Sequence, residues 1–199
     1  MSTIVTDINQ LDPDGTYTYA DYLLWRIEER LELIKGKIFK MSPAPSLMHQ
    51  RISTQLQGTL FNYLKSSSCD LFSAPFDVRL YNEKKSKLAF KEIFTVVQPD
   101  LCVVCDENKL DEKGCLGAPD LIIEILSPGN SMKEKNEKFN LYEESGVREY
   151  WLVEPLVNTI YMYVLNESGR YVGLKPATTI LTSSIFPDLE INLEEIFQQ

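Results

Sequence analysis

Apolar residues recur at the helical spacing of three or four positions in three segments of the chain. We predict helices over residues 17–30, 49–66 and 131–144. Thr18 is of a residue type that caps a helix N-terminus, and Gly146 is suited to end the third helix. The chain therefore offers at least three helices, each with one apolar face.

Shorter apolar or alternating segments between turn residues predict strands. Alternation on both sides of Lys35-Gly36 indicates an N-terminal hairpin. Further strands are predicted in the following segments: 70–81, 93–105, 120–126, 149–153, and several from residue 159 to the end. A lysine-rich turn (83–87) separates the first two of these, and a polar connector (106–119) follows the second.

The order of these elements indicates the fold class. Strands are followed by a crossover helix and then by another strand, which favours a mixed central sheet flanked by helices. We predict one α/β (α+β) domain over residues 1–199, with an additional N-terminal hairpin and C-terminal strands. Residues 1–16 are expected to form a loosely ordered N-terminal segment.

Composition narrows the function classes. No apolar run approaches the ~18 residues of a membrane-spanning helix, and the polar, acidic N-terminus does not resemble a secretory signal. We therefore expect a cytoplasmic protein. The net charge of −9 argues against a protein that coats nucleic acid nonspecifically, although a local basic patch or a bridging metal could still bring phosphate close.

The four cysteines are only weak evidence for a metal site. Cys102 and Cys105 form a CxxC pair, but residues three apart on a strand point to opposite faces, and no second pair completes a zinc site. Cys69 and Cys115 would have to converge on the same point. We expect buried, reduced thiols.

Two carboxylates lie in strands that are expected to be buried. Asp100 follows Pro99 at the start of one strand, and Glu124 lies within the apolar run LIIEIL. An unpaired charge in such a place costs several kcal/mol, so each carboxylate needs a partner. A shared divalent metal is one solution, and hydrogen bonds to Lys, Arg or backbone N–H groups are the other.

The expected strand pairing connects these two residues. The connector is short enough for the two strands to be antiparallel neighbours, which would bring Asp100 close to Glu124. Asp120, in a second Pro-Asp pair, lies four residues before Glu124, roughly 13 Å away at strand rise. We expect Asp120 to cap the strand rather than share an ion with Glu124.

The spacing of these residues resembles the PD-(D/E)xK nuclease motif. The segments QPDLCVVC, GAPDLIIEILSP, KFNLYEESGVREYWLVEP and LELIKGKIFKMSPAP, together with His49-Gln50, resemble a bacterial family of that superfamily labelled as restriction endonucleases. The resemblance covers roughly residues 17–197. It implies a restriction-endonuclease-like fold, Mg²⁺ (or Mn²⁺) at Asp100 and Glu124, and hydrolysis of nucleic-acid phosphodiester bonds, with DNA as the expected substrate.

The sequence departs from the motif at one position. The motif's lysine should stand two residues after the glutamate, where this chain has Leu126. In the superfamily a neighbouring helix can supply the lysine, and the helix after Glu124 carries three. We expect Lys138, which shares a helical face with Tyr142, to take the role. The alternative is that these lysines form a solvated face.

Two further residues are weaker candidates. Glu32, in the hairpin, resembles the family's early glutamate and could be an additional metal ligand or an ordinary strand residue. His49, the only histidine, could belong to the site or be a structural hydrogen-bonder.

Two other functions stay open. One is a nucleic-acid- or protein-binding module on the same fold whose chemistry has decayed, and the other is a metal-binding interaction protein. An enzyme that cuts both strands is often a two-fold homodimer, which is our expectation if the protein is active.

Overall fold

The computed structural model describes residues 4–41, 45–81, 93–127 and 132–198, with side chains from residue 135 onward in the last range. Four helices lie in this part of the chain: α1 (Tyr19–Tyr22), α2 (Leu47–Leu64), α3 (Met132–Ser145) and α4 (Leu193–Phe197). Within these ranges, no helix is long and apolar enough to cross a membrane.

The described strands form two mixed six-stranded sheets and one two-stranded sheet, so the predicted mixed sheet is accompanied by a second one. The first sheet has the order β2-β1-β5-β4-β8-β7. Its strands are β1 (Leu31–Ile34), β2 (Lys37–Lys40), β4 (Val78–Leu80), β5 (Thr95–Val97), β7 (Leu110–Asp111) and β8 (Gly114–Leu116). Strands β1 and β2 are the predicted hairpin.

The second sheet has the order β12-β11-β10-β9-β6-β3. Its strands are β3 (Asp70–Ser73), β6 (Leu101–Val104), β9 (Leu121–Ile125), β10 (Glu149–Glu154), β11 (Thr159–Leu165) and β12 (Tyr171–Gly173). The two-stranded sheet pairs β13 (Ile180–Thr182) with β14 (Glu190–Asn192). Strands β9 and β10 are parallel and joined through α3, as the predicted crossover requires.

Side-chain alternation divides the second sheet between two cores. Leu101 and Ile123 lie with the apolar stripe of α2, whereas Cys102 and Ile122 lie with residues of α3 and of the first sheet. Both faces are covered, which is why β6 and β9 read as almost continuous apolar runs. Glu124 is therefore an exception that needs a polar partner.

The two long predicted strands are each divided between the sheets. The segment 70–81 contains β3 in the second sheet and β4 in the first, and the segment 93–105 contains β5 in the first and β6 in the second. The breaks fall near Pro75 and Pro99, which lack the N–H that a continued ladder needs. The expected turn at 83–87 lies outside the described residues.

The first predicted helix is wrong beyond one turn. Thr18 does cap a helix, accepting a hydrogen bond from the Asp21 N–H, but that helix ends at Tyr22. The chain then continues without helix, and Trp25 forms a bridge with Val5. Aromatic side chains from Tyr17 to Trp25 pack on the first sheet, and this tertiary packing overrides the local helical pattern.

The polar connector contains structure of its own. Strands β7 and β8 form a hairpin whose second strand pairs in parallel with β4. Gly114, at φ +117°, comes so close to the Asp77 carbonyl that a Cβ there would clash with its oxygen. The hairpin thus extends the first sheet where we expected only a loop.

The cysteine prediction is wrong for two of the four residues. Cys69 and Cys105 form a disulfide, while Cys102 and Cys115 are free and buried. The pairing of Asp70 with Val104 continues by one residue to place Cys69 opposite Cys105. Their separation of 36 residues gives no hint of this, because the contact depends on the register of β3 and β6.

Candidate active site

The candidate residues meet where the two sheets and two helices converge. Glu32 comes from β1 of the first sheet, while Asp100 and Glu124 come from adjacent strands of the second sheet. Lys138 reaches the same place from α3, and His49 from the first turn of α2. All five line one cavity.

The antiparallel register brings Asp100 to Glu124. Leu101 pairs with Ile123, so one further step places Asp100 opposite Glu124, as the short connector predicts. Oδ2 of Asp100 accepts a hydrogen bond of 2.7 Å from the Ile125 N–H. This bond fixes the carboxylate against the end of β9.

His49 is the second group that holds Asp100. Its Nε2 lies 3.2 Å from the same oxygen, Oδ2 of Asp100. Its Nδ1 is buried without a hydrogen-bond partner in the part of the chain that the structure describes. Because Asp100 is an acceptor, the neutral imidazole carries its proton on Nε2. Burial lowers the pKa of His49, but the hydrogen bond to Asp100 and the nearby negative charges outweigh it and raise the pKa.

Lys138 lies between two carboxylates. Its Nζ is 2.9 Å from Oε1 of Glu124 and 3.1 Å from Oε1 of Glu32. Lys138 and Glu32 are buried, at 8% and 3% exposure. One cation therefore partners two carboxylates, the buried Glu32 and the partly buried Glu124.

Glu124 receives a further donor from α3. The Tyr142 hydroxyl donates to Oε1 of Glu124 over 2.5 Å, one helical turn from Lys138. Glu32 in turn accepts the Gln98 N–H at 2.9 Å, which ties β1 to the segment just before β6. The predicted helical face of Lys138 and Tyr142 is thus directed at Glu124.

The protonation of this cluster follows from burial and charge. Burial raises the pKa of Glu124, and Asp100 and Glu32 raise it further, against the opposing effect of Lys138. Burial would lower the pKa of Lys138, but the two carboxylates raise it above its ordinary value. Burial and Glu124 raise the pKa of Tyr142 as well. Lys138 is therefore an ammonium ion at neutral pH, and Tyr142 is a neutral donor.

Asp120 has a structural position, as its placement in the sequence suggests. Its Oδ2 accepts the Cys105 N–H at 2.8 Å, and its Oδ1 pairs with Arg148 at 2.9 Å. It is not among the residues that line the cavity. Asp120 thus caps the pairing of β6 and β9 at the end opposite Asp100.

The other candidate lysines and the motif position have different surroundings. Lys135 lines the cavity, and its ammonium lies 3.8 Å from the Glu154 carboxylate. The side chain of Lys133 lies outside the described residues. Leu126 also lines the cavity, and its N–H bonds to the Val153 carbonyl, so no cation reaches the cavity from this position.

Sequence reasoning missed one cationic residue in the cavity. Arg30, just before β1, lines the cavity, and its guanidinium donates to the Gln98 side-chain oxygen over 2.9 Å. Its position two residues before Glu32 is the signal that could have found it, because the hairpin that delivers Glu32 also brings Arg30.

The donor set restricts the kind of metal that fits here. Across the described ranges, no three His, Cys, Asp or Glu side chains are grouped so that they could hold a metal ion. Two carboxylates facing one cavity suit Mg²⁺ or Mn²⁺, which keep several waters and use substrate phosphate as a further ligand. Asp100 and Glu124 are of the ligand type that such an ion takes, and two carboxylates would not form a closed structural site.

A thiol nucleophile has no support in the described structure. Cys102 and Cys115 are buried, and burial raises the pKa of both thiols, so both stay protonated at neutral pH. Neither lines the cavity. The chemistry that this cavity offers therefore comes from carboxylates, lysine ammonium groups, the Arg30 guanidinium and one imidazole.

Comparison with known sequences gives a family. The model of the Uma2 family, described as "Putative restriction endonuclease", matches residues 19–194. Two proteins of Synechocystis sp. (strain ATCC 27184 / PCC 6803 / Kazusa), both described as uncharacterized, are similar to the chain. One is 27% identical over 157 residues, covering 77% of each chain. The other is 26% identical over 151 residues, covering 73% of this chain and 79% of its own.

Comparison with solved structures supports the fold. The crystal structure of a protein described as a putative nuclease, from Anabaena variabilis ATCC 29413, superposes with a TM-score of 0.69 at 20% identity. The match covers 91% of this chain and 97% of that one. The mixed α+β architecture is therefore the restriction-endonuclease-like fold that the sequence resemblance implies.

Proposed function

We propose, since the chain belongs to the Uma2 family of restriction-endonuclease-like proteins, that it is a metal-dependent endonuclease that hydrolyses phosphodiester bonds of nucleic acid, with DNA as the expected substrate. The observation that carries the proposal is the position of Lys138, whose ammonium lies 2.9 Å from Glu124 although the motif position holds Leu126. A helix thus supplies the cation that the strand lacks.

Asp100 and Glu124 would hold Mg²⁺ or Mn²⁺. The ion would supply positive charge beside the scissile phosphate and acidify the attacking water. The Ile125 N–H and His49 both bond to Oδ2 of Asp100, which fixes the orientation of this carboxylate. Such fixed orientation is what a site needs to place a substrate reproducibly.

Lys138 would act as a fixed positive charge. Its raised pKa keeps it protonated, so it stabilises negative charge that develops on the phosphate rather than removing a proton from water. In the reaction, the water oxygen bonds to phosphorus and gives up one proton to solvent, the bond from phosphorus to the leaving oxygen breaks, and solvent returns a proton to that oxygen. Tyr142 and Glu32 hold Glu124 and Lys138 in place during this exchange.

The position of Lys138 also bears on the decayed-module alternative. That alternative gains if the Lys138 ammonium points to solvent, away from both carboxylates. Instead Lys138 is buried between Glu32 and Glu124. This arrangement supports an active site more than a decayed one.

The experiment is a cleavage assay with purified protein. Plasmid DNA, single-stranded DNA and RNA are incubated with Mg²⁺, Mn²⁺ or EDTA, using wild type, Glu124→Gln and a control, Glu154→Gln, from the neighbouring strand. We expect metal-dependent cleavage by wild type and the control, and a loss of at least about 100-fold in Glu124→Gln. Absence of cleavage with either metal, or equal cleavage by Glu124→Gln, would overturn the proposal.

A further inference from the structure

A second cavity adjoins the candidate active site. Its volume is about 260 Å³, and Arg30 lines both this cavity and the active-site cavity. We call it the aromatic cavity; it is lined by Tyr22, Trp25, Ile27, Glu29, Arg30, Leu31, Pro75 and Gln98. None of the proposed catalytic groups lines it, so the proposed reaction leaves it unexplained.

Two aromatic rings give the aromatic cavity a fixed wall. The ring of Trp25 is half-buried and packs against Tyr22 and Tyr17, each at 5.4 Å between ring centroids. The Tyr22 hydroxyl donates to the Leu31 carbonyl, which fixes that ring as well. Such a wall is an arrangement on which nucleobases stack regardless of sequence.

The polar groups of the aromatic cavity suit the edge of a base. The Gln98 side chain accepts from Arg30 through its oxygen and donates to Asp77 through its nitrogen, both at 2.9 Å. An amide oxygen accepts two hydrogen bonds and an amide nitrogen donates two, so among the described residues each end of Gln98 keeps one further bond to offer. The Glu29 carboxylate, one oxygen of which lies 3.7 Å from the Lys40 ammonium, can accept from a base amino group.

Arg30 contributes a positive charge to both cavities. Its guanidinium has five N–H donors in a planar fork, a geometry suited to phosphate oxygens. One of its nitrogens is already held by Gln98, and the residue lines both cavities. A strand with its phosphate near Asp100 and Glu124 would therefore pass Arg30 before its next base reaches Trp25.

We propose that the aromatic cavity binds an unpaired nucleobase next to the scissile phosphate, stacked on Trp25 and Tyr22 with its backbone phosphate on Arg30. This inference rests on the proposed nuclease function and adds a substrate class, namely strands with at least one unpaired nucleotide at the cleavage point. A base within a regular duplex is stacked on its neighbours and cannot enter.

The chain carries its own probe for this proposal. It has two tryptophans, Trp25 at the aromatic cavity and Trp151 fully buried in the core. A base that stacks on Trp25 should quench its fluorescence and leave Trp151 unchanged. The titration uses a short mixed-sequence single-stranded DNA, the same sequence as RNA, and a blunt duplex, in EDTA and separately in Ca²⁺. Binding is followed in parallel by the anisotropy of labelled strands.

We expect single strands to quench the emission of wild type and the blunt duplex to leave it unchanged. Trp25→Ala should weaken single-strand binding by about 5- to 100-fold, and Trp25→Phe should keep most of the affinity but lose the quenching. Arg30→Ala should reduce the dependence of log affinity on log salt by about one unit. The control is Phe61→Ala, an exposed aromatic on α2 away from both cavities, which should change nothing.

The outcomes separate this proposal from the nuclease proposal. Quenching without cleavage in any metal would keep the base site and overturn the nuclease. Cleavage together with unchanged Trp25 emission, or single-strand binding that Trp25→Ala leaves intact, would overturn the base site alone. No binding of any strand in either buffer would overturn the base site whatever the cleavage result.

Discussion

The two Pro-Asp pairs occupy equivalent positions at opposite ends of β6 and β9. Asp100 directly precedes β6 and accepts the Ile125 N–H of the partner strand, while Asp120 directly precedes β9 and accepts the Cys105 N–H. The bonds are alike in length, 2.7 and 2.8 Å. In both Pro-Asp pairs the aspartate carboxylate therefore has a structural role: it connects one strand to the next by a hydrogen bond, whatever chemistry is nearby.

The two ends differ in what the rest of the fold places beside them. In the shared register Glu124 lies opposite Asp100, whereas Val104 lies opposite Asp120. Asp100 faces a cavity with a buried lysine, and Asp120 pairs with Arg148, whose side chain is 59% exposed. A candidate site thus arises only at the end where a second carboxylate, Glu124, and the buried Lys138 lie beside the aspartate.

The largest expected effect is a difference in cleavage activity between substitutions of the two aspartates. Asp100→Asn should lower metal-dependent cleavage by at least about 100-fold, because it removes one of two carboxylates that would hold the ion. Asp120→Asn should stay within a few-fold of wild type. Initial cleavage rates of both variants, with melting curves to confirm folding, check this. Similar rates for the two variants would contradict the difference between the ends.

Removing the buried cation should affect both activity and stability. Lys138→Met should lower cleavage by about 10²- to 10³-fold. It should also lower the free energy of unfolding by about 3–5 kcal/mol, because Glu32 and Glu124 lose their shared partner. Denaturant unfolding measures the second effect.

A double variant tests the cause of that instability. Adding Glu32→Gln to Lys138→Met removes one of the unpaired charges, so we expect part of the stability to return while activity stays low. If the double variant is no more stable than Lys138→Met, the charge argument for this cluster is wrong.

Substitution of Asp120 should lower the free energy of unfolding without lowering cleavage activity. Asp120→Ala leaves the Cys105 N–H without its acceptor, which should cost about 1–3 kcal/mol of unfolding free energy while cleavage persists. Urea unfolding of the variant beside wild type provides the value. A loss of cleavage in a protein that remains folded would show that Asp120 takes part in the chemistry.

The smallest effect is expected at Arg148. Because its side chain is mostly exposed, Arg148→Ala should change the free energy of unfolding by no more than about 1 kcal/mol and should become neutral at high salt. Thermal melts at low and high salt measure this. A large, salt-independent loss would mean that the ion pair with Asp120 is more than a surface contact.

The Asp100 end could be predicted from the sequence because its determinants are local. Two buried strands with a short connector predict antiparallel pairing, and the pairing brings Asp100 to Glu124. Lys138 and Tyr142 are four residues apart in a predicted helix, so the sequence also predicts that their side chains lie on the same helical face. Each step needs only the period of an element and the length of a connection.

What could not be predicted depends on contacts between distant parts of the chain. The pattern of residues 17–30 is helical, yet Trp25 lies in extended chain because aromatic packing on the first sheet outweighs local propensity. The Cys69–Cys105 disulfide follows from the register of β3 and β6, which composition does not encode. The aromatic cavity likewise exists only once Gln98 and Trp25 meet.

Measuring divalent metal binding is the most direct way to compare the Asp100 and Asp120 ends of β6 and β9. Titration of wild type, Asp100→Asn and Asp120→Asn with Mn²⁺, followed by calorimetry, measures it without any assumption about the substrate. We predict one binding site in wild type and in Asp120→Asn, and its loss in Asp100→Asn. Absence of Mn²⁺ binding in wild type, or equal binding in Asp100→Asn, would contradict the assignment of a metal to Asp100 and Glu124.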